Sequence, residues 1–369
     1  MKVLIIITCL HPHGAEYSCL RHIEAMQSIY NIKFFVIALS GGELTQKYKN
    51  ATDACFIYNS KKSLLKQLKF IINQIKFFKP DIIHTWMYHA NIFGHLLSIC
   101  LGKRLILSIR QSLPRYFVLK PTTLIVSIFD SFLSRFSKPQ IIFNSFSGKD
   151  DHTSKLLYPI SLSKVILNNP FIIKPSKKVY KNKNSKKERQ EINILSLSRN
   201  DKSKDFEYLF KLVSLSASSL KFINLSIYGD NITQIDRSFL KPINNNKYIK
   251  LSLNEAVNDL KDVLHKSDIY LSTSLWEGYP NSLVTASIAG CIPICTNAGD
   301  SWKLLGSNCY KLTKNIDEDK KLMNIAFSDL NKTTHIQRSN KVLKKLDEFG
   351  NSYSQYHKIY YDLLTSSKF

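Results

Sequence analysis

Short apolar runs rich in β-branched residues alternate along the chain with longer stretches in which apolar residues recur at helical spacing. The run at 3–8 precedes helical spacing over 15–27, for example, and a second helix face is marked by the apolar positions between 64 and 75. Strands that alternate with helices are typical of parallel βαβ units. The pattern predicts strands at 3–8, 34–39, 82–86, 104–109, 141–143, 192–197, 222–228, 269–272 and 292–295.

A basic stretch interrupts this pattern. Residues 174–189 read KPSKKVYKNKNSKKER, with eight basic residues, one acidic residue and almost nothing apolar. We interpret it as a solvated linker or loop between two α/β domains, which a chain of 369 residues can accommodate. The predicted division is a first domain at 1–172, the linker at 173–190, a second domain at 191–345 and a last helix at 346–369. Two doubly wound Rossmann-like domains in tandem predict a ligand cleft at the carboxyl ends of both sheets.

Charge and cysteine content limit the binding partners and the cellular compartment that the sequence favours. The 52 Lys and Arg residues exceed the 28 Asp and Glu residues by 24, which favours an anionic partner unless it is compositional drift. Nucleic acid has no support beyond charge, because no aromatic–basic motif accompanies it. The seven cysteines form no CxxC pair, so we expect buried thiols in a reducing compartment and no metal site. The apolar start, MKVLIIITCL, fits a buried strand better than a signal peptide, and no run reaches the ~18 residues of a membrane span.

Three turns that follow predicted strands are candidate anion sites. The first holds Gly14 in HPHGAE, where an ordinary βα turn is the plainer interpretation. The second holds Arg199 and Lys204, two cations five residues apart beside a helix start. They could bind a diphosphate, or the segment could be an ordinary solvated turn. In the third, SLWEGYPNSL, a proline at a helix start would leave the N–H groups of the next three residues, Asn281, Ser282 and Leu283, free for a phosphate.

From Arg199 to Gly299 the chain resembles glycosyltransferase family 4, a family with the GT-B fold. The family pattern is SxxEG[FY]PN, a helix, AxxxG and a short apolar strand that begins with proline; here the chain reads SLWEGYPNSLVTASIAGCIPICTNAGD. The family's Arg and Lys five residues apart match Arg199 and Lys204, and its glycine at the end of the next strand matches Gly229. In the first half, GAEYSCL, KPDIIHTWMYHAN and the pair Asn144-Ser145 resemble family segments in the same order.

The resemblance implies a retaining transferase that moves a hexose-type sugar from a nucleotide diphosphate donor, UDP in the first instance, to a glycan or lipid-linked acceptor. It implies a GT-B fold whose last helix crosses back to the first domain, no metal or other cofactor, and a role in lipopolysaccharide or capsule synthesis. Arg199 and Lys204 would neutralise the diphosphate and Glu277 would bind sugar hydroxyls. Further donor contacts implied by the match are Gly14, Gly229, Gly278, Asn281, Ser282 and Leu283.

The chain departs from the family at two places. A second glutamate that grips the ribose should stand eight positions after Glu277, where this chain has Thr285. The histidine expected after the fourth strand is absent, and Arg110 occupies that area, either against an anionic acceptor or as a structural cation. His84 and His89 are the other candidates in the first domain, with His84 taken as substrate-binding. The alternatives are therefore a GT-B sugar-nucleotide epimerase and a non-catalytic nucleotide-sugar-binding relative.

A membrane surface is a further candidate partner. The first half holds Lys66, Lys69, Lys76 and Lys79 with Phe70 and Phe77, then Arg115-Tyr116-Phe117, then the segment from Phe129 to Lys138. Basic and aromatic groups together favour anionic lipid, although a helix packed on its sheet explains them equally well. We expect a cytoplasmic protein, with peripheral contact to the inner face of the plasma membrane as an open alternative.

Overall fold

The computed structural model describes residues 1–58, 64–113, 121–175, 191–218, 220–257 and 259–365, without the side chains of Leu64, Leu65 and Gln67. The chain divides into unit 1, formed by Met1–Asn169 together with Asn351–Phe369, and unit 2, formed by Pro170–Gly350. The basic stretch at 176–190 and the predicted lipid contact at 115–117 lie outside the described residues.

Unit 1 is built on a seven-stranded sheet in the order β3-β2-β1-β4-β5-β6-β7, and all of its strand pairs are parallel. The strands are β1 (Lys2–Ile7), β2 (Lys33–Ala38), β3 (Ala54–Ile57), β4 (Ile82–Trp86), β5 (Arg104–Ile109), β6 (Gln140–Phe143) and β7 (Ser163–Val165). The helices between them are α1 (Gly14–Tyr30), α2 (Thr45–Asn50), α3 (Leu64–Phe78), α4 (Tyr88–Leu101), α5 (Pro121–Ser137) and α6 (Phe146–Lys155).

Unit 2 holds a six-stranded parallel sheet in the order β10-β9-β8-β11-β12-β13. Its strands are β8 (Glu191–Leu197), β9 (Phe222–Tyr228), β10 (Ile249–Asn254), β11 (Ile269–Ser272), β12 (Ile292–Cys295) and β13 (Tyr310–Lys311). Its helices are α7 (Phe206–Ser216), α8 (Lys241–Asn244), α9 (Lys261–Lys266), α10 (Asn281–Ile288), α11 (Ser301–Leu305), α12 (Ile316–Asp329) and α13 (His335–Asp347). The final helix, α14 (Ser352–Thr365), belongs to unit 1.

These two parallel sheets, each covered by helices, confirm the predicted α/β class and the Rossmann-like character of both halves. The nine predicted strands are all present, with ends that differ by at most one residue. Four strands were missed: β3, β7, β10 and β13. All four lie at or next to a sheet edge and are short or only partly buried, so their sequences lack the long apolar run of an interior strand.

Alternate residues of β1 supply the two cores of unit 1. Val3, Ile5 and Ile7 pack with α1 and α14 on one face, whereas Leu4 and Ile6 pack with α3 and α4 on the other. Period-2 alternation sends neighbouring side chains to opposite faces, so a strand that is apolar throughout must be covered on both. The last helix is therefore a layer of unit 1.

Buried hydrogen bonds join α14 to the sheet. The Tyr360 hydroxyl lies 2.8 Å from Nε2 of His22 in α1 and 2.7 Å from Nδ1 of His84 in β4. Nε2 of His84 lies 2.7 Å from the hydroxyl of Ser108 in β5. All four side chains are buried, so each bond replaces a contact with water that folding removed.

We predict that Tyr360→Phe destabilises unit 1. The substitution keeps the ring but leaves the facing nitrogens of His22 and His84 without their shared partner, which costs about 1–3 kcal/mol. Tyr361→Phe is the matched control, because Tyr361 is exposed on the same helix. Urea unfolding followed by fluorescence measures both; equal stability of the two variants would contradict the assigned role of Tyr360.

We also predict that the protein loses stability between pH 7 and pH 5. Burial, with the Arg110 charge adding to it, lowers the pKa of His22 to about 3 and also holds the pKa of His84 well below its usual value. Burial likewise lowers the pKa of His152 to about 4. The unfolded chain takes up protons on these rings below about pH 6.5 while the folded chain does not, so each costs about 2 kcal/mol over this range. Urea unfolding across that pH range should show the decline, and unchanged stability would exclude neutral buried histidines.

Candidate functional site

The strand order of unit 2 reverses between β8 and β11, and the segments after these two strands meet there. Three hydrogen bonds join the segments. The N–H of Leu275 donates to the Ser203 carbonyl at 2.7 Å, and the Thr273 hydroxyl donates to the Lys204 carbonyl at 2.8 Å and to the Asp205 carbonyl at 3.1 Å. A reversal point at the carboxyl ends of parallel strands is where open α/β sheets bind ligands.

Lys204 and Glu277 form an ion pair across these two segments. The same oxygen of Glu277 accepts a hydrogen bond from the Ser274 hydroxyl at 2.8 Å. The side chains are 15% and 23% exposed, so a ligand can reach both while water screens their attraction only partly. The structure thus brings together one predicted diphosphate cation and the predicted sugar-binding carboxylate.

Arg199 is placed differently from Lys204. Its side chain is 53% exposed, and its guanidinium lies 3.8 Å from the Asp201 carboxylate. Asp201 also accepts from the N–H of Ser203 at 2.9 Å, which caps the short turn that carries Lys204. An exposed arginine in a long ion pair retains the freedom to turn toward a phosphate, because such surface pairs contribute little.

The amino end of α10 directly follows the segment that holds Glu277. Pro280 occupies the N-cap position and makes no side-chain cap, and the first hydrogen bond within the helix runs from the N–H of Val284 to the Pro280 carbonyl at 3.1 Å. The N–H of Asn281, which was predicted to be free for a phosphate, instead donates to the Tyr279 carbonyl at 2.8 Å. The N–H groups of Ser282 and Leu283 thus belong to the first turn, whose donors have no partner within the helix. Such a turn favours anions. Thr285 lies in the next turn and is buried.

Two glycines allow backbone segments to approach each other around this site. A Cβ on Gly229, after β9, would lie 2.1 Å from the Ser198 carbonyl oxygen that follows β8. A Cβ on Gly299, after β12, would lie 2.1 Å from the carbonyl oxygen of Gly278, and Gly299 also has φ +56°. Gly299 therefore lets the segment after β12 pack directly against the Gly278 backbone, a role that the sequence did not predict.

Lys314 is a second residue that the sequence did not single out. Its ammonium pairs with Asp205, donates to the Thr273 carbonyl at 3.3 Å and lies 4.3 Å from the centre of the Tyr208 ring. Asp205 follows Lys204, and Thr273 belongs to the segment that holds Glu277. Lys314 therefore contacts both segments that carry the Lys204–Glu277 pair. No local motif marks it, because its partners lie at least 41 residues away.

The predicted site residues of unit 1 differ in how accessible they are to a ligand. Gly14 is the first residue of α1, after an N-cap residue that forms no side-chain cap. His84 is fully buried, and the Tyr360 and Ser108 hydroxyls occupy its ring nitrogens, so no nitrogen is left for a ligand. His89, the second residue of α4, is exposed.

Arg110 lines a small pocket of unit 1 with Ser18, Arg21, His22, Trp86, Asn168 and Tyr356. Its guanidinium stacks 3.6 Å from the centre of a Trp86 ring and donates to Asn168 at 2.7 Å and Tyr356 at 3.0 Å. Within the described chain, three buried nitrogens at this pocket have no hydrogen-bond partner: Nε of Arg110, Nε1 of Trp86 and Nδ1 of His22.

Residues Asp317, Glu318 and Asp319 superficially resemble a metal-binding DxD motif, but they form the first turn of α12. Asp319 is buried and accepts from the Tyr208 hydroxyl and from the N–H groups of Thr313 and Lys314, at 2.5, 2.9 and 3.0 Å. Acidic residues are favoured at a helix amino end, so the triplet is explained by α12 itself. Over the described ranges, no cluster of three His, Cys, Asp or Glu side chains has the geometry to hold a metal ion.

Part of the chain matches a known family model by sequence. Residues 176–308 match the family model described as "Glycosyl transferases group 1", and this segment contains the Lys204–Glu277 pair and α10. Among curated proteins, none matches the chain by sequence.

Solved structures show the fold of the whole chain. The UDP complex of Alr3699/HepE from Anabaena superposes with a TM-score of 0.79 at 18% identity, over 99% of this chain and 100% of that one. A glycosyltransferase from Rickettsia africae gives 0.76 at 15%, over 99% of both chains. The lipopolysaccharide outer core galactosyltransferase WaaB gives 0.70 at 16%, over 98% of this chain and 99% of that one. The fold is GT-B, and at these identities the likeness shows the fold alone.

We predict that Gly229→Ala weakens both unit 2 and its ligand site. The new methyl would overlap the Ser198 carbonyl and force apart the segments after β8 and β9, at a cost of about 1–3 kcal/mol. Gly41→Ala is the control, because a Cβ there meets its nearest neighbour at an ordinary 3.5 Å. Thermal unfolding measures the stability of the two variants, and calorimetry measures their affinity for UDP. Equal stability and equal UDP affinity of the two variants would contradict the role assigned to the close approach at Gly229.

Proposed function

We propose that this GT-B chain, whose residues 176–308 match the group 1 glycosyl transferases, transfers a hexose-type sugar from a nucleoside diphosphate donor. The observation that carries the proposal is the Lys204–Glu277 pair at the reversal point of the second sheet, beside the amino end of α10. A cation, a helix amino end and a carboxylate are the groups needed to hold a diphosphate next to a sugar.

The diphosphate would bind between Lys204 and the first turn of α10. Without a donor, Glu277 neutralises the ammonium of Lys204. A diphosphate would take over that role, and the carboxylate of Glu277 would then accept hydrogen bonds from hydroxyls of the transferred sugar. Arg199 adds a second cation from the same segment, while Gly229 and Gly299 allow the backbone segments around the site to approach each other closely.

We propose UDP as the nucleotide because the Anabaena HepE structures hold UDP and UDP-glucose. The hydrogen bonds to the nucleotide ribose would be weaker than those of the glutamate in the family pattern, because this chain has Thr285 there. A threonine hydroxyl forms one neutral hydrogen bond where a carboxylate would form two charge-assisted ones, and Thr285 is buried besides. Phosphate contacts would then supply most of the donor affinity.

Transfer breaks the bond between the anomeric carbon and the diphosphate oxygen and forms one to the acceptor oxygen. Arg199, Lys204 and the N–H groups of α10 stabilise the charge that grows on the leaving diphosphate, so the proposal includes no metal. In a retaining reaction on one face of the sugar, the leaving phosphate accepts the acceptor's proton, and no side chain is needed as a base.

The acceptor would contact unit 1, where the positive charge of Arg110 lines a pocket and suits an anionic or oxygen-rich group. A glycan or lipid-linked acceptor of lipopolysaccharide or capsule synthesis fits this chemistry, in the cytoplasm at the inner face of the plasma membrane.

A sugar-nucleotide epimerase would need no acceptor and would keep the nucleotide attached. Thr285 favours a third possibility, a non-catalytic nucleotide-sugar binder.

We predict that Lys204→Ala and Arg199→Ala each lower the rate of UDP release from a donor by about 100-fold, because each removes a charge that stabilises the leaving group. Lys202→Ala is the matched control, since Lys202 is an exposed lysine in the same turn. Hydrolysis of a panel of nucleotide sugars measures the rate. Full activity in both variants would remove this site from the proposal, epimerised donor without UDP release would indicate the epimerase, and binding without turnover would indicate the non-catalytic relative.

A further inference from the structure

Helix α5 of unit 1 has its polar side chains inside and its large apolar side chains outside. The buried positions are mostly serine and aspartate: Ser127, Asp130, Ser131, Leu133, Ser134 and Ser137. The exposed large apolar positions follow helical spacing and are 47–66% exposed: Ile125, Ile128, Phe129, Phe132 and Phe136. A helix at the surface of a globular protein normally has the opposite arrangement, so the outward side of α5 is suited to an apolar neighbour.

Hydrogen bonds fix this orientation. The Asp130 carboxylate accepts from Asn91 at 2.8 Å and from the Tyr158 hydroxyl at 2.8 Å, and its other oxygen lies 2.7 Å from Nε2 of His95. Rotation of the helix to bury its phenylalanines would expose the side that packs against α4 and strip a fully buried carboxylate of these partners. Breaking such a buried network is costly, so the apolar stripe stays outside.

The stripe continues into the segment after α6. Arg135 donates to the Leu157 carbonyl at 2.8 Å, and the Ser131 hydroxyl donates to the Leu156 carbonyl at 2.6 Å. Leu157 is 64% exposed although its φ of +55° is unfavourable for a leucine, and Ile160 is exposed as well. We call Ile125, Ile128, Phe129, Phe132, Phe136, Leu157 and Ile160 together the α5 face.

Charge distinguishes among possible occupants of the α5 face. The sole acidic residue of α5 is the buried Asp130, whereas Arg135 and the following Lys138 are exposed. A second copy of the chain would bring another net charge of +24 against the first. An anionic bilayer offers both an apolar layer for the stripe and phosphates for the cations, which is how interfacial helices bind.

We propose that the α5 face is a docking surface for an anionic phospholipid bilayer. The 17 residues of α5 lie along the interface, with the phenylalanines among the acyl chains and Arg135 and Lys138 at the headgroups. Within the described residues, no helix is both long enough and apolar enough to cross a membrane. This contact would hold unit 1 where a lipid-linked acceptor is presented, but its existence does not depend on transferase activity.

The test is flotation of the full chain with phosphatidylcholine vesicles that contain or lack phosphatidylglycerol. Phe132→Ser/Phe136→Ser should reduce partition into anionic vesicles at least tenfold, because two large apolar side chains no longer enter the lipid. The conservative Phe132→Trp/Phe136→Trp should restore binding, and its fluorescence should be quenched by brominated acyl chains. Ile325→Ser/Ile336→Ser is the matched control, since it removes two exposed apolar side chains from unit 2 and should leave binding unchanged.

Three outcomes would overturn the proposal: no flotation of the parent chain, equal flotation of the serine variant, or equal flotation of the chain with neutral and anionic vesicles. A fourth is a parent dimer that ignores vesicles and becomes a monomer in the serine variant, which would assign the α5 face to self-association. Nucleotide-sugar hydrolysis, measured on the same variants without vesicles, should match the parent. Loss of lipid binding with hydrolysis intact is therefore distinguishable from failure of the proposed transferase function.

Discussion

In a parallel sheet the carboxyl ends of all strands lie at one edge, and a crevice for a ligand forms at that edge where the strand order reverses. Unit 2 places the turn that carries Lys204 and the turn that carries Glu277 at this position, joined by one backbone hydrogen bond from Leu275 and by the Thr273 hydroxyl. The ion pair therefore depends on the sheet topology, because these two residues are 73 positions apart in sequence.

Buried polar groups are the second constraint, and they act mainly in unit 1. The Tyr360 hydroxyl joins α14 to α1 and β4, and the Asp130 carboxylate joins α5 to α4. Each of these groups must keep its partners, which fixes how a helix is rotated as well as where it lies. The apolar surface of α5 is a consequence of that fixed rotation.

The sequence predicted most of the scaffold because interior strands such as β1 and β2 are continuous apolar runs after their first residue and are followed by helical segments. It could not predict β10, whose residues are only partly buried, or β13, which has two residues. At the site, the motif spacing selected Lys204 and Glu277, but their contact arises from the sheet. The roles of Lys314 and Gly299 depend wholly on residues distant in sequence or on backbone approach, for which a single sequence contains no signal. His84 fitted a substrate-binding pattern by residue type and position, but the Tyr360 hydroxyl of α14 and the Ser108 hydroxyl of β5 occupy its two ring nitrogens, and both partners are distant in sequence.

The membership of α14 in unit 1 has a consequence for the order in which the chain becomes structured during synthesis. Domains generally fold as they emerge from the ribosome, the amino-terminal one first. Here the first 169 residues emerge without Tyr356, Ile359 and Tyr360, which complete their core. Unit 2 is fully synthesised at Gly350, before the last layer of unit 1 exists. The order is thus inverted: the second half of the protein can be completed while the first half still awaits its closing helix, with a hydrophobic face of its sheet and the nitrogens of His22 and His84 open to water or to a chaperone.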